Sequence, residues 1–187
     1  GVNRIAFDEV SASTAVGWAQ HRASFGERLT ATVGARIGHH SAFGTALSPK
    51  IAGNVRLWNG VNTRASYGGG FRAPDLGQLY YRFLNPSNIY QVVGYPNLEP
   101  EYAKSLQVGA DWLSPGRRAR FGVNLFRNDI DDLIESVSLG MVVSPAQLTA
   151  ILLREGLDPS FRPVLGRLLF TYKNVNDAFT RGAEVDG

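Results

Sequence analysis

Five of the seven tyrosines, Tyr80, Tyr81, Tyr90, Tyr95 and Tyr102, fall in or beside one irregular stretch of the chain, from Arg72 to Tyr102. A tyrosine combines a large apolar ring with one polar tip at low conformational-entropy cost, which suits capture of a bulky organic molecule. Tyr80, Tyr81 and Tyr90 are the foremost candidates for such contact. The alternative is that the rings sit at a membrane interface or pack the loop against itself. Arg72, Asp75, Gln78 and Arg82 lie near the base of the same stretch and could hydrogen-bond an anionic or amide-bearing ligand. Equally, Arg72 reads as an ordinary charge facing the water inside a barrel.

Other reactive groupings carry less. Asp129, Asp131 and Asp132, with Asn128, offer the hard oxygens a calcium ion takes, but the run lacks the glycine turn and terminal glutamate of a helix-loop-helix site. Strand alternation would also send neighbouring side chains to opposite faces, so no metal is expected. His39 and His40 are adjacent on a strand and cannot chelate one ion together. Ser41 follows His40, yet there is no Gly-x-Ser-x-Gly elbow and no His/Glu metal motif; neither an enzyme nor a cofactor is expected. The absence of cysteine excludes disulfides and thiolate metal sites.

The elements that must position these residues are strands. Leu29, Ala31, Val33, Ala35 and Ile37 alternate with Thr30, Thr32, Gly34, Arg36 and Gly38, a period of two that marks a strand with one wet face. Ile51, Gly53, Val55 and Leu57 alternate more weakly with Ala52, Asn54, Arg56 and Trp58, because Trp58 falls on the polar side. Asn59-Gly60 supplies a tight hairpin turn, after which Val61, Thr63, Ala65, Tyr67, Gly69 and Phe71 oppose Asn62, Arg64, Ser66, Gly68, Gly70 and Arg72. Leu106, Val108, Ala110 and Trp112 precede a Ser114-Pro115-Gly116 connection, and Phe121, Val123 and Leu125 follow it. A first strand is read around Ser13 to Ala23, where Val16 and Trp18 oppose Ala15, Gly17 and Ala19. A last one runs from near Leu168 to the chain end.

Connections alternate in length. Phe25 to Arg28, Asn59-Gly60 and Leu113 to Arg118 are short and share one rim; Ser41 to Pro49, Arg72 to Tyr102 and Glu135 to Arg167 are longer and share the other. The third long connection contains SPAQLTAILLREGL, with Ser144 as N-cap, Pro145 at the first helical position and Gly156 as the stop. With Leu148, Ile151, Leu152 and Glu155 that helix could dock a partner; the alternative is that it folds its apolar face onto the rim. Each strand run is roughly the 9 to 11 residues a tilted strand needs to cross a bilayer. The pattern predicts an all-β fold: an antiparallel up-and-down transmembrane β-barrel segment of about seven strands, with a short helix in one loop. Residues 1–187 form a single partial barrel domain in this reading.

Composition agrees. Hydrophobic residues are 44% and charged residues 19% of the 187, with 21 glycines, which argues against disorder. No run approaches the roughly 18 consecutive apolar residues of a membrane-spanning helix. The net charge is +3, but the basic residues are scattered singly apart from Arg117-Arg118, so a nucleic-acid partner is not expected. The chain opens on GVNRIAFDEVS, without a basic and then apolar leader, and stops in mid-pattern at RGAEVDG. It reads as an excerpt of something longer. With two unpaired edges exposed to lipid, such an excerpt is not expected to fold alone.

At FRAPDLGQLY, residues 71 to 80, the chain resembles the barrel of TonB-dependent outer-membrane receptors, and most of all their cobalamin-transporter branch. HHSAFGTALSPKI (39 to 51), GYPNLEPEYAKSLQVGADW (94 to 112), LFRNDIDDLI (125 to 134) and YKNVNDAFTRGAEVDG (172 to 187) are similar to further segments of that family, in the same order. Tyr95 stands where the family usually has Asn, and Ala183 where it usually has Val. The resemblance implies a place in the Gram-negative outer membrane, in contact with its lipid, and active uptake of a bulky, scarce nutrient. Ferric siderophore, haem and cobalamin are the usual cargoes, and LGQLY inclines toward cobalamin. It also implies extracellular loops that bind the ligand, and TonB acting through a plug domain that these 187 residues do not contain. The alternative is an outer-membrane barrel enzyme or passive channel that shares only strand geometry.

Overall fold

A computed structural model describes residues 10–58, 60–84, 90–116, 118–175 and 177–187. In chain order the elements are β1 (Thr14–Phe25), β2 (Leu29–His40), β3 (Gly44–Arg56), β4 (Val61–Arg72), α1 (Leu76–Tyr80), β5 (Arg82–Leu84), β6 (Tyr90–Val93), β7 (Glu101–Leu113), β8 (Arg120–Asp131), β9 (Ile134–Val142), α2 (Pro145–Glu155), β10 (Arg167–Asn174) and β11 (Ala178–Asp186). They belong to two compact units. One is built from Ser13–Arg72, Glu101–Asp131 and Asn176–Gly187; the other from Ala73–Pro100 and Asp132–Val175.

The first unit is a seven-stranded sheet in the order β1-β2-β3-β4-β7-β8-β11. Every pairing in it is antiparallel, and no register shift interrupts it. Unbroken register makes the period-two pattern of each strand add up across the sheet. One face carries Val33 and Ile37 of β2, Leu47 and Ile51 of β3, Leu106 and Val108 of β7, and Leu125 of β8, all of them exposed. The other carries Arg22, Arg36, Lys50, Arg64 and Arg120 among small and polar residues. Trp18, which blurred the alternation of β1, pairs with Arg36 and stands 77% exposed on this polar face. Trp58 blurred the next strand because β3 has already ended at Arg56.

Two expectations are corrected. The connection predicted over Ser41 to Pro49 is only a three-residue turn, since β3 begins at Gly44. Pro49 is accommodated inside β3 because it pairs only with Ala35 of β2, and the ladder to β4 starts one residue later, at Lys50. Its missing N–H therefore falls where no partner waits. Gly69 leaves room for the ring, for a Cβ there would come within 2.9 Å of Pro49 Cδ. The strand predicted from Leu168 to the chain end is likewise two strands: β10 lies in one unit and β11 in the other. Of the predicted Asn59-Gly60 turn, Asn59 lies outside the described residues, as does Arg117; Gly60 has φ +79°, as a tight turn requires.

The second unit holds a four-stranded sheet in the order β5-β6-β10-β9, in which only β6 and β10 are parallel. Helix α2 forms where the sequence placed it. Ser144 Oγ accepts the N–H of Gln147, Pro145 opens the first turn, and Gly156 closes the helix at φ 65°. Leu148, Ile151 and Leu152 are buried with Val93, Val142, Leu157, Phe161 and Leu169 in one core. The side-chain amide of Gln91, fully buried, behaves as one more strand residue: its Nε2 donates to the Val164 carbonyl (3.0 Å) and its Oε1 accepts the Val164 N–H (2.8 Å). A buried amide paired on both sides costs little, and it fixes where the chain between α2 and β10 runs.

Candidate ligand-binding site

The segment FRAPDLGQLY ends β4 and becomes α1. Asp75 caps that helix, its Oδ1 accepting the Gln78 N–H at 2.8 Å while Gln78 Oε1 accepts the Asp75 N–H at 3.1 Å. This reciprocal box engages Asp75 Oδ1 and Gln78 Oε1, two of the polar atoms that the sequence offered to a ligand. The helix end is then tied to the strand beyond: Tyr95 N–H donates to Gln78 O at 2.9 Å and Gly94 N–H to Tyr81 O at 2.7 Å.

Alternation divides the four-stranded sheet. Gln91, Val93, Leu169 and Thr171 point to the buried side, and their neighbours point the other way. On that other face the rings form a continuous row. Tyr81 stacks on Phe83 with centroids 5.5 Å apart and planes at 12°; Phe83 meets Tyr90 at 6.0 Å; Tyr90 meets Phe170 edge-on at 6.2 Å. Tyr172 extends the row: burial, and then the Asp75 carboxylate and Tyr81, push its phenol above the ordinary value of 10.0. Tyr81 and Tyr90 are thus brought together. Phe83, Phe170 and Tyr172 join them, and the sequence signalled these only through the spacing Tyr81-x-Phe83 and Phe170-x-Tyr172.

The remaining candidates are placed elsewhere. Tyr80 is exposed on α1, Tyr95 packs against the core, and the Tyr102 ring lies 5.4 Å from Phe71 on the apolar face of the larger sheet. Arg82 points to the opposite face from Phe83 and forms an ion pair with Asp158. Arg72 pairs with Glu101 at 2.7 Å, also its cross-strand neighbour. The aspartates of β8 are held by cations, Asp129 by Arg127 and Asp131 by Lys104. Among the described residues, no three His, Asp or Glu side chains gather as a metal site would require. His39 accepts or donates to Thr45 Oγ1 at 2.9 Å, and His40 Nδ1 accepts the Ala42 N–H at 3.2 Å, so each serves its own turn.

The polar face of the larger sheet has one further feature. A depression of about 480 Å³ opens where Gly34, Gly68 and Gly70 present no side chain, bordered by Trp18, Gln20, Arg36, Lys50 and Gln107.

A long antiparallel sheet, apolar on one side and polar on the other, continuous through seven strands and interrupted by an aromatic loop sheet, is a segment of a transmembrane β-barrel. Comparison with known proteins agrees: the family described as TonB dependent receptor-like, beta-barrel, matches residues 2–187, and the chain belongs to it. It is 32% identical over 112 residues to the vitamin B12 transporter BtuB of Vibrio vulnificus (strain YJ016), a match covering 60% of this chain and 16% of that protein. Its fold is similar to that of the siderophore receptor PirA of Pseudomonas aeruginosa, with TM-score 0.72 and 20% identity over 93% of this chain and 30% of that one. It is similar as well to the hemophore receptor HasR of Serratia marcescens, with TM-score 0.70 and 17% identity over 93% of this chain and 31% of the other. The chain thus spans less than a third of the length of each of these relatives.

Proposed function

We propose that the chain is part of an outer-membrane receptor for TonB-dependent active uptake, and that its cargo is cobalamin. The exposed apolar face of the seven-stranded sheet is read as lipid contact, because an apolar surface of that extent is not left to water. The polar face lines the lumen, where the glycine-floored depression beside Trp18 leaves space for the plug through which TonB acts. The barrel supplies walls and a binding surface and performs no chemistry on its cargo.

The observation that carries the ligand reading is the ring row Tyr81, Phe83, Tyr90 and Phe170, with Tyr172 beside it. Tyr80, on the adjoining helix, is proposed as a further contact. Arg82 turns its charge to the other side of the sheet, and the groups that bear electrostatically on Tyr172 are the Asp75 carboxylate and the Tyr81 phenol, not a cation. Such a face suits a large macrocycle bearing neutral amides better than a strongly anionic ferric complex. The likeness to a vitamin B12 transporter supports the same choice. Arg72 and Arg82 enter as ion-paired supports of the loop base.

Equilibrium binding of cyanocobalamin, ferric siderophores and haem to the purified full-length receptor tests this. Saturable cyanocobalamin binding at micromolar concentration or below is expected. Binding of a ferric siderophore alone would replace cobalamin as the cargo, and binding of none of the three would overturn the receptor reading.

A further inference from the structure

Helix α2 covers the buried side of the loop sheet, where Leu148, Ile151 and Leu152 join its core. Beside that buried stripe runs a second one, Pro145, Thr149 and Leu153, spaced four residues apart. The Thr149 hydroxyl donates to the Pro145 carbonyl at 3.1 Å, so its hydrogen is used within the helix. Leu153 is 71% exposed, far more than a leucine with a packing partner would be. From Pro145 to Leu153 the stripe rises about 12 Å, close to the length of a straight alkyl chain of roughly ten carbons.

After Gly156 the chain comes back beside this stripe with Pro159 and Arg162, and the two walls enclose a groove of about 340 Å³ floored by Leu148 and Leu152. That size suits a small molecule. Both walls belong to one stretch, residues 145–162, so the groove is made without help from any strand edge. It lies on the side of the loop sheet opposite the ring row, and is therefore separate from the surface assigned to the cargo.

One cation borders the groove, and it is held in place. Arg162 Nη1 donates to the Pro159 carbonyl at 2.6 Å and to the Phe161 carbonyl at 3.1 Å. The turn that carries these carbonyls is itself fixed: Asp158 Oδ1 accepts the Ser160 N–H at 2.7 Å, the Asp158 carbonyl accepts the Phe161 N–H at 3.1 Å, and Arg82 pairs with the Asp158 carboxylate. Among the described residues no carboxylate pairs with Arg162, and its Nε and Nη2 have no acceptor. Those two nitrogens form the edge of a guanidinium whose parallel N–H groups match the two oxygens of a carboxylate.

We infer that this groove binds a small amphiphile, an alkyl chain of medium length ending in a carboxylate. The chain lies along Pro145, Thr149 and Leu153, and the carboxylate meets the free edge of Arg162. An arginine already oriented by two carbonyls loses little freedom when it takes the anion. The apolar stripe removes the chain from water, which the carboxylate alone would not accomplish.

Equilibrium dialysis of radiolabelled octanoate against the full-length receptor in phosphatidylcholine nanodiscs tests this. Saturable binding at submillimolar concentration is expected, above the linear uptake of empty nanodiscs. Octanol, the same chain without the charge, should bind about tenfold more weakly, the loss of one charge-assisted contact. Arg162→Gln should lower octanoate affinity about tenfold and leave octanol affinity unchanged, and Arg162→Lys should keep part of the preference for octanoate. Thr149→Trp fills the groove from an exposed helix position and should abolish binding of both, with unchanged exchange of the α2 amides showing that the helix is intact. Octanoate uptake that only matches empty nanodiscs, or equal octanoate affinity of wild type and Arg162→Gln, overturns the inference. Binding of trileucine without binding of octanoate would assign the groove to a peptide terminus, and also overturns it. Each of these failures leaves cyanocobalamin binding, and with it the cargo reading, untouched.

Discussion

Asn174 grips the backbone of Glu99 from both sides, its Oδ1 accepting the Glu99 N–H and its Nδ2 donating to the Glu99 carbonyl, each at 2.8 Å. The same Nδ2 donates to the Asp132 carbonyl at 2.7 Å. One side chain at the end of β10 thus ties down the two strands of chain that lead out of the loop sheet. Asn174→Ala removes all three bonds. At about 1 kcal/mol each, with some recovered by water, the local cost is about 2 kcal/mol. Hydrogen exchange in the full-length receptor should show protection near Glu99 and Leu133 falling roughly thirtyfold. Unchanged exchange there would show that Asn174 is not the clip.

Gly94 is required by a close approach, not by its torsions. A Cβ at this position would lie 2.7 Å from the Leu79 carbonyl and the Tyr80 nitrogen, and backbone cannot move aside cheaply. Gly94→Ala should therefore push β6 off the end of α1 and lose the bonds Gly94 N–H to Tyr81 O and Tyr95 N–H to Gln78 O. A cost of about 1–3 kcal/mol is expected, read as faster exchange of these two amides. Gly53→Ala is the control, since nothing lies within 4 Å of its added carbon.

The larger sheet was legible in the sequence because its signal is local: with unbroken register, the period of two in Leu29 to Ile37 already says which side each residue takes. Helix α2 was legible for the same reason, through Ser144, Pro145 and Gly156. The loop sheet was not. β5 and β6 are three and four residues long, too short for a period to show, and β10 finds its parallel partner β6 more than seventy positions away. The bulge that opens β9 opposite Leu169 and Phe170, with Gly140 at φ +89°, breaks alternation where it would have helped. Tyr81 and Tyr90 were visible as residue types, but their meeting through Phe83 depends on that hidden pairing.

Glu155 gives the loop unit a pH dependence. The Lys173 ammonium, and after it the Arg154 guanidinium, hold its carboxyl below the ordinary value of 4.5. Folding therefore favours the charged form, and the stability this contributes is complete above about pH 4.5 and is lost as the pH falls through the lowered value. Since Glu155 closes α2 and Lys173 belongs to β10, the amides of α2 should report it. Their protection should drop in acid in the wild type, whereas Glu155→Gln should start lower and stay flat across the same range. Parallel pH profiles for the two proteins would sink the assignment.

The row of rings makes a sharper prediction about affinity than about stability. Tyr81 and Tyr90 both pack on Phe83, so removing any one ring exposes the faces of its neighbours and shortens the surface offered to a ligand. Tyr81→Ala or Tyr90→Ala should weaken cyanocobalamin binding by about 10- to 100-fold, equivalent to roughly 1.4–3 kcal/mol of lost contact. Tyr81→Phe and Tyr90→Phe keep the stacking area and should lose far less, which separates ring contact from hydrogen bonding by the phenol. Arg82→Gln releases Asp158 on the other side of the sheet and should alter loop exchange without altering affinity. If Arg82→Gln abolished binding while the tyrosine variants kept it, the ligand would have to be met at the half-exposed Arg82–Asp158 pair and not on the ring row, and an anionic ferric complex would become the better cargo.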